Sequence, residues 1–184
     1  MPSGQPEVVR SRIGFFFTDE APTKHPFTIR LGRQNLDIPP GVPDYLSRDR
    51  YVLPVDVEVY GVQPHAHYLA TRVQGWATLP DGTRQGLISI TDWDFDWQDS
   101  YRYIEPFFLP KGTELTMEFT YDNSLGNLRN PRASPERVTW GQKSWNEMGD
   151  LWVQVLPRSP VDLAILKRDR GPREMAEDIV GFEM

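Results

Sequence analysis

The chain has no cysteine and only three histidines among its 184 residues. It therefore offers no thiolate ligand to a metal and forms no disulfide, although this absence is compatible with either cytosol or periplasm. Long apolar runs are also missing, since none approaches the roughly 20 residues that cross a bilayer as a helix. The first residues, Met-Pro-Ser-Gly-Gln, lack the apolar stretch of a signal peptide. We therefore expect a soluble protein with no membrane partner.

Charge and composition narrow the class of protein further. Lys and Arg total 20 against 26 Asp and Glu, and the net charge of -6 argues against nucleic acid or an anionic membrane as a partner. Seventeen prolines, 14 glycines and 12% aromatic residues favour a fold rich in strands and turns. The length suits one domain with a sizeable core, alone or with an appendage.

Alternation of apolar and polar residues predicts an all-β protein. It is clearest at 114–121, where Leu115, Met117 and Phe119 are expected to face inward. A turn at 80–83 and a strand at 84–90 follow a strand that is expected to begin at Pro64 and run to Leu79. Further strands are predicted at 13–18, 27–31, 51–62 and 151–156. About eight antiparallel strands with long connections are typical of a jelly-roll β-sandwich.

The C-terminal tail has a different character. Ser159 as N-cap, Pro160 at the first helical position and Asp162 in the first turn predict a helix over 160–168. A second helix is expected at 173–182. We divide the chain into a disordered or linker segment at 1–11, a β-sandwich domain at 12–157, and a helical tail or linker to a following module at 158–184.

Two of the three histidines form a His-x-His pair. In a strand, side chains alternate faces, so His65 and His67 project to the same side and can hold one ion. Met148 offers a thioether, and two imidazoles with a thioether suit copper, particularly Cu(I), better than zinc or a hard cation. The pattern predicts one copper ion held by His65, His67 and Met148. Histidines on a strand are also common as ordinary polar or core residues, and most methionines are core residues.

Three other features have competing interpretations. The alternating acids of 92–99 resemble a calcium loop, but Trp97 and Tyr103 stand where that loop needs Gly and Glu. A strand with Trp93 and Trp97 inward is the favoured alternative. His25 is expected in a loop rather than as a fourth ligand. The Asn-rich stretch at 121–131 suits either the lining of a substrate pocket or turns stabilised by Asn and Asp side chains.

Six short motifs carry a resemblance to a known family. They are Ile-Gly-Phe-Phe-Phe at 13–17, Asp-Ile-Pro-Pro-Gly at 37–41, Pro-His-Ala-His-Tyr-Leu at 64–69, Leu-Pro-Lys-Gly-Thr at 109–113, Tyr-Asp-Asn-Ser at 121–124 and Asn-Glu-Met-Gly-Asp at 146–150. Together they resemble the C-terminal domain of the copper type II, ascorbate-dependent monooxygenases, the family of peptidylglycine α-hydroxylating monooxygenase and dopamine β-monooxygenase. The resemblance covers residues 12–156. It implies that His65, His67 and Met148 hold the copper at which oxygen is activated.

The departures from the family matter as much. The family's first domain, which carries its own three-histidine copper, has no counterpart in this sequence. A complete monooxygenase cycle is therefore not encoded here. The resemblance thus implies an external one-electron donor, such as a cytochrome c module. Gln63 and Trp152 stand where the amidating enzymes carry an arginine and a tyrosine that grip the substrate carboxylate. Glycine-extended peptides are therefore not expected as substrates. Bacterial relatives resemble parts of longer exported proteins, which implies a periplasmic or otherwise exported location and an excised domain.

Two functions from different classes follow. In the first, the chain is an oxygen-activating copper domain whose partners are O₂ or a reduced oxygen species and an electron donor. In the second, it is a non-catalytic copper-binding or redox-relay domain, and a vestigial site in an interaction module is a third option. An open cavity beside the metal favours the first, whereas a metal sealed by Trp152 or Tyr68 favours the second. Glu147 and Asp150 are expected to orient an imidazole, or Glu147 to be an exposed acid.

Overall fold

The computed structural model describes residues 6, 8 and 10–170. In the described residues the chain forms ten strands and one helix, α1, at 160–170. The strands are β1 Phe27–Gly32, β2 Asp37–Ile38, β3 Tyr45–Val52, β4 Val57–Ala66, β5 Ala70–Thr78, β6 Arg84–Ile90, β7 Tyr101–Leu109, β8 Glu114–Tyr121, β9 Val138–Thr139 and β10 Gly149–Pro157. No described helix is long and apolar enough to cross a membrane.

The strands build two four-stranded sheets and a small third sheet, all antiparallel. One large sheet has the order β1-β10-β4-β7, the other has β3-β8-β5-β6, and β2 pairs with β9. The chain crosses from one large sheet to the other, so β1 lies beside β10 and β3 lies beside β8, as in a jelly roll. The predicted all-β sandwich is confirmed, and the eight long strands match the expected number.

The core lies between the two large sheets. Leu115, Met117 and Phe119 of β8 are all fully buried, as the alternation predicts. On β10 the buried apolar residues Leu151 and Val153 face the same core. Asp150 and Trp152, which alternate with these two residues along β10, therefore lie on the other face of the β1-β10-β4-β7 sheet. That outer face carries the histidine pair.

Two strand predictions near the N-terminal half are wrong. Residues 13–18 form no strand, and Phe16 is 100% exposed. A strand needs a neighbour to satisfy its backbone, and β1 already occupies the free edge of β10. The predicted strand at 51–62 is two strands, β3 and β4, because the chain changes sheet between Val52 and Val57. Pro54 lacks a backbone N–H, and Leu53 instead exchanges hydrogen bonds with the backbone of 112–113.

The histidine segment ends a strand rather than beginning one. Pro64 lies inside β4, and the chain turns at Tyr68 before Ala70 starts β5 in the opposite sheet. The predicted strand from Pro64 to Leu79 is therefore wrong at its start. Pro64 is tolerated because β7 pairs with β4 only as far as Val62, so one edge of β4 is unpaired beyond it.

The 92–99 segment is also not a strand. Trp93 is buried, as expected, but Trp97 is 75% exposed. The backbone N–H of Trp97 donates a hydrogen bond to the Asp94 carbonyl in a turn. β7 was not predicted, because several of its apolar residues are exposed and its pairing with β4 is irregular at Tyr60. In both segments, the alternation of apolar and polar residues along the sequence does not match which side chains are buried.

The remaining predictions at the C-terminal end fare better. β6 and β8 have the predicted limits, and Met148 directly precedes β10. Helix α1 begins at Pro160, and the Ser159 hydroxyl accepts a hydrogen bond from the Asp162 N–H at 3.2 Å, which confirms the N-cap. The predicted helix at 173–182 lies outside the described residues.

Candidate metal centre

The two histidines of the pair lie against each other at one end of β4. His65 is half-buried and is the second-to-last residue of β4. His67 directly follows the strand and is 4% exposed. Their ring centroids are 5.2 Å apart, and the ring planes are nearly perpendicular at 82°. The tertiary structure thus brings both imidazoles together, as the His-x-His spacing predicts.

Hydrogen bonds orient both rings in the same way. His65 Nδ1 is 2.6 Å from the Gln98 side-chain oxygen, and His67 Nδ1 is 3.0 Å from the Asn146 carbonyl oxygen. The Gln98 amide is held in this orientation because its nitrogen donates to the Phe95 carbonyl at 2.8 Å. Since both of these partners are acceptors, Nδ1 donates in both rings and Nε2 is the candidate metal donor. The Lys143 backbone is a second hydrogen-bond partner of the His67 ring. Metal-binding histidines are commonly oriented by such a bond from the other ring nitrogen.

The surroundings of His67 favour its neutral form. Burial lowers the pKa of His67, while the hydrogen bond to the Asn146 carbonyl opposes that shift. The Phe95 ring packs against the imidazole at 5.8 Å between centroids, and Tyr68 stacks on Phe95 at 4.2 Å. A neutral imidazole is the form that binds a metal. His67 is thus covered by aromatic rings and already in its ligating form.

The pairing of β10 with β4 determines where Met148 lies. The register places Gly149 opposite Ala66 and Asp150 opposite His65, so its continuation by one residue brings Met148 to His67. Met148 is half-buried, and its carbonyl accepts a hydrogen bond from the Tyr121 hydroxyl at 3.0 Å. Within 6, 8 and 10–170, no three His, Asp or Glu side chains are grouped to hold a metal. Carboxylates in these ranges therefore do not complete a three-ligand set with the histidine pair.

Glu147 has a role that neither sequence interpretation anticipated. It is fully buried, so it is not an exposed acid, and its carboxylate contacts backbone rather than an imidazole. It accepts hydrogen bonds from the N–H groups of His67, Leu69 and Met148. Burial raises the pKa of Glu147 to about 8, and these donors act in the opposite direction. One side chain thus joins the turn after β4 to the residue before β10.

Asp150 also differs from its expected role. It makes an ion pair with Arg30 of β1, with Nε 2.9 Å from Oδ1, and no hydrogen bond to either imidazole. Burial raises the pKa of Asp150 above its usual value, and Arg30 is the strongest opposing influence. The sequence contained no signal for this pair, because Arg30 and Asp150 are far apart in the chain and meet only through the pairing of β1 with β10.

The other candidate residues lie apart from this centre. His25 is an exposed loop residue, as predicted, and it lines a hollow of about 460 Å³ with Glu58 and Arg158, at the opposite end of β10. Asn123 is fully buried, and its amide nitrogen donates to the carbonyls of Ile38, Pro39 and Glu136. The turn-stabilising interpretation of Asn123 is therefore the correct one.

A small hollow opens beside Trp152. It measures about 150 Å³ and is flanked by Gln63 and Trp152, and Arg102 of β7 is the one charged side chain in its lining. Gly61 forms its floor, because a Cβ there would lie 2.5 Å from the Tyr101 carbonyl oxygen. The Trp152 ring lies 6.1 Å from the His65 ring, between centroids. Trp152 thus lies between this hollow and His65, and neither histidine of the pair lines the hollow.

Comparison with known proteins adds no family. No protein-family model matches the chain, and no curated protein matches it. The resemblance to the copper monooxygenases therefore rests on the sequence motifs alone.

Removing Glu147 should loosen both halves of the centre. Glu147→Ala leaves three buried N–H groups without an acceptor, at a cost of about 1–3 kcal/mol each. We expect a loss of several kcal/mol in unfolding free energy and faster amide hydrogen exchange at Leu69 and Met148. Urea denaturation and exchange measured by NMR check this. Glu118→Ala, which removes an acid paired with Arg48 at the surface, is the matched control and should change little. Unchanged exchange at both amides would contradict the assigned role.

Proposed function

We propose that the chain is a mononuclear copper-binding domain that works as the oxygen-activating half of a monooxygenase-like system. One observation supports the proposal: two imidazoles whose ring centroids are 5.2 Å apart are each oriented by a hydrogen bond at Nδ1, so the Nε2 atoms are the candidate donors to one ion. Met148 then supplies the third donor. The set of two imidazoles and a thioether suits copper, and the thioether favours Cu(I).

The bound copper would supply one-electron redox chemistry and a site for oxygen activation. The protein's own residues have simpler tasks. Gln98 and the Asn146 carbonyl hold the imidazoles in one tautomer, and Glu147 ties the His67 turn to Met148. The aromatic rings of Phe95 and Tyr68 exclude water from one side of His67. These contacts hold the donor atoms in place before the metal arrives.

The hollow beside Trp152, which neighbours His65, supports an enzyme over a sealed metal site. Its volume of about 150 Å³ is suited to a small substrate or to one group of a larger substrate. Trp152 borders this hollow and also contacts the His65 ring, with 6.1 Å between centroids. Access from the outer face of the sheet is therefore part of the proposal.

The proposal also includes an external electron donor. A monooxygenase cycle takes two electrons, and one copper ion provides one. In the described part of the chain no three His, Asp or Glu side chains are grouped to hold a metal. We therefore propose a separate one-electron donor, such as a cytochrome c module, and a periplasmic or otherwise exported location in keeping with the family resemblance.

A non-catalytic redox relay is the alternative, and one observation favours it. His67 is buried beneath Phe95 and Tyr68, whose rings lie 4.2 Å apart. Aromatic cover of this kind keeps oxygen and substrate from that side of the centre. The two functions thus differ in whether the His65 side or the His67 side controls access to the metal.

Copper binding should depend on both histidines of the pair. We expect one ion per chain, and we expect His65→Ala or His67→Ala to weaken binding by several kcal/mol because no other His or Cys is near enough to replace the lost ligand. Calorimetric titration and electron paramagnetic resonance of the Cu(II) form measure this. His25→Ala is the matched control and should leave affinity unchanged. Unchanged affinity in both pair variants would refute the assignment.

Met148 should act mainly on the reduced metal. Met148→Leu keeps volume and apolarity but removes the sulfur, so Cu(I) affinity should fall much more than Cu(II) affinity and the reduction potential should drop. Competition with chelators specific for each oxidation state measures both affinities. Met117→Leu, a change at a fully buried core methionine, controls for packing. Equal losses for Cu(I) and Cu(II), or no loss for either, would make Met148 a packing residue only.

Oxygen reactivity separates the two functions. With ascorbate, the copper-loaded protein should consume oxygen slowly and release hydrogen peroxide, because one metal supplies one electron at a time. A one-electron donor protein should raise the rate, and His67→Ala should abolish it. An oxygen electrode and a peroxide assay measure this. A complete lack of oxygen consumption by the Cu(I) form would instead support the redox relay.

A further inference from the structure

Asp150 has a feature that a purely structural ion pair does not explain. Its side chain is 2% exposed and its Oδ1 accepts from Arg30 Nε at 2.9 Å, yet Oδ2 is buried with no hydrogen-bond partner in the described structure. A buried acceptor left without a partner is costly. Such an oxygen needs a reason to be retained.

Neighbouring strands shape the position of this carboxylate. A Cβ at Gly32 would lie 2.1 Å from Asp150 Oδ1, so the carboxylate occupies space that any other residue at position 32 would fill. Gly32 is the residue that β1 places opposite Asp150. The site therefore combines a glycine on one strand with a carboxylate on the next.

The same carboxylate lies beside the histidine pair. Asp150 is directly opposite His65 in the pairing of β10 with β4, and residues directly opposite in an antiparallel pair share a face. It is not grouped with His65 and His67 as a third ligand. Asp150 is thus a buried negative charge next to the proposed copper ion but outside its ligand set.

A charge in that place acts differently on the two oxidation states. Cu(II) carries one more positive charge than Cu(I), so a nearby carboxylate stabilises Cu(II) more. For a carboxylate about 10 Å from the ion and an effective dielectric constant of about 20, each unit of charge on the ion changes its binding constant roughly tenfold. Arg30 offsets part of this effect, but it pairs with Oδ1 and its side chain is 22% exposed.

We propose that Asp150 is a positioning residue that sets the reduction potential of the centre, because its unpartnered carboxylate oxygen lies beside His65 and favours Cu(II). The inference rests on the proposed copper function. It gives the site two opposed influences, since the Met148 thioether favours Cu(I) and Asp150 favours Cu(II). The balance between them keeps both oxidation states accessible.

The test measures Cu(II) and Cu(I) affinities separately in the full chain. Asp150→Asn keeps the shape and removes the charge. Cu(II) affinity should fall roughly a hundredfold and Cu(I) affinity roughly tenfold, and this tenfold difference corresponds to a rise in reduction potential of about 59 mV for one electron. Arg30→Gln should shift the potential in the opposite direction, and it tests the inference even if Asp150→Asn does not fold.

Asp56→Asn is the matched control for Asp150→Asn. Asp56 lies at the other end of β4 and accepts a hydrogen bond from the Lys111 N–H, so Asp56→Asn should leave the potential unchanged. If Asp150→Asn weakens both oxidation states equally, or Arg30→Gln shifts nothing, Asp150 is structural only and copper binding still stands. If the unaltered protein binds no copper, the proposed function and this inference both fail.

Discussion

The pairing of β10 with β4 is the interaction on which the centre depends. It places Asp150 opposite His65 and Gly149 opposite Ala66, and so brings Met148 to the His67 turn. Gly149 permits this approach, because a Cβ there would lie 2.0 Å from the Tyr121 hydroxyl that binds the Met148 carbonyl. A shift of the register by one residue would move the donors to opposite faces of the sheet.

Two buried acids near this pairing, Glu147 and Asp150, are accommodated in different ways. Glu147 is satisfied by three backbone N–H groups, whereas Asp150 has an arginine on one oxygen and nothing on the other. The first arrangement holds two chain segments together. The second keeps a negative charge beside the imidazoles, at a cost in stability that a structural role alone does not require. Two adjacent acids thus have different physical roles.

Local patterns in the sequence predict most of the sandwich and fail at identifiable places. Strands β6 and β8 have the expected limits because their alternation agrees with burial and their turns have clear residues. Residues 13–18 have the same strand propensity, but no neighbour pairs with them. Trp97 continues the alternation of Trp93, but the loop that carries it turns outward. In each failure, the deciding contact is one that local propensity does not contain.

The sequence by itself determined the donor atoms of the candidate centre, because the chain has only three histidines and no cysteine, and two of those histidines share one face of a strand. Tertiary structure alone decided how these atoms are held. Gln98 and the Asn146 carbonyl reach the imidazoles from two separate loops, and Arg30 reaches Asp150 from β1. These partners are distant in the chain, and only the order and register of the strands bring them into contact.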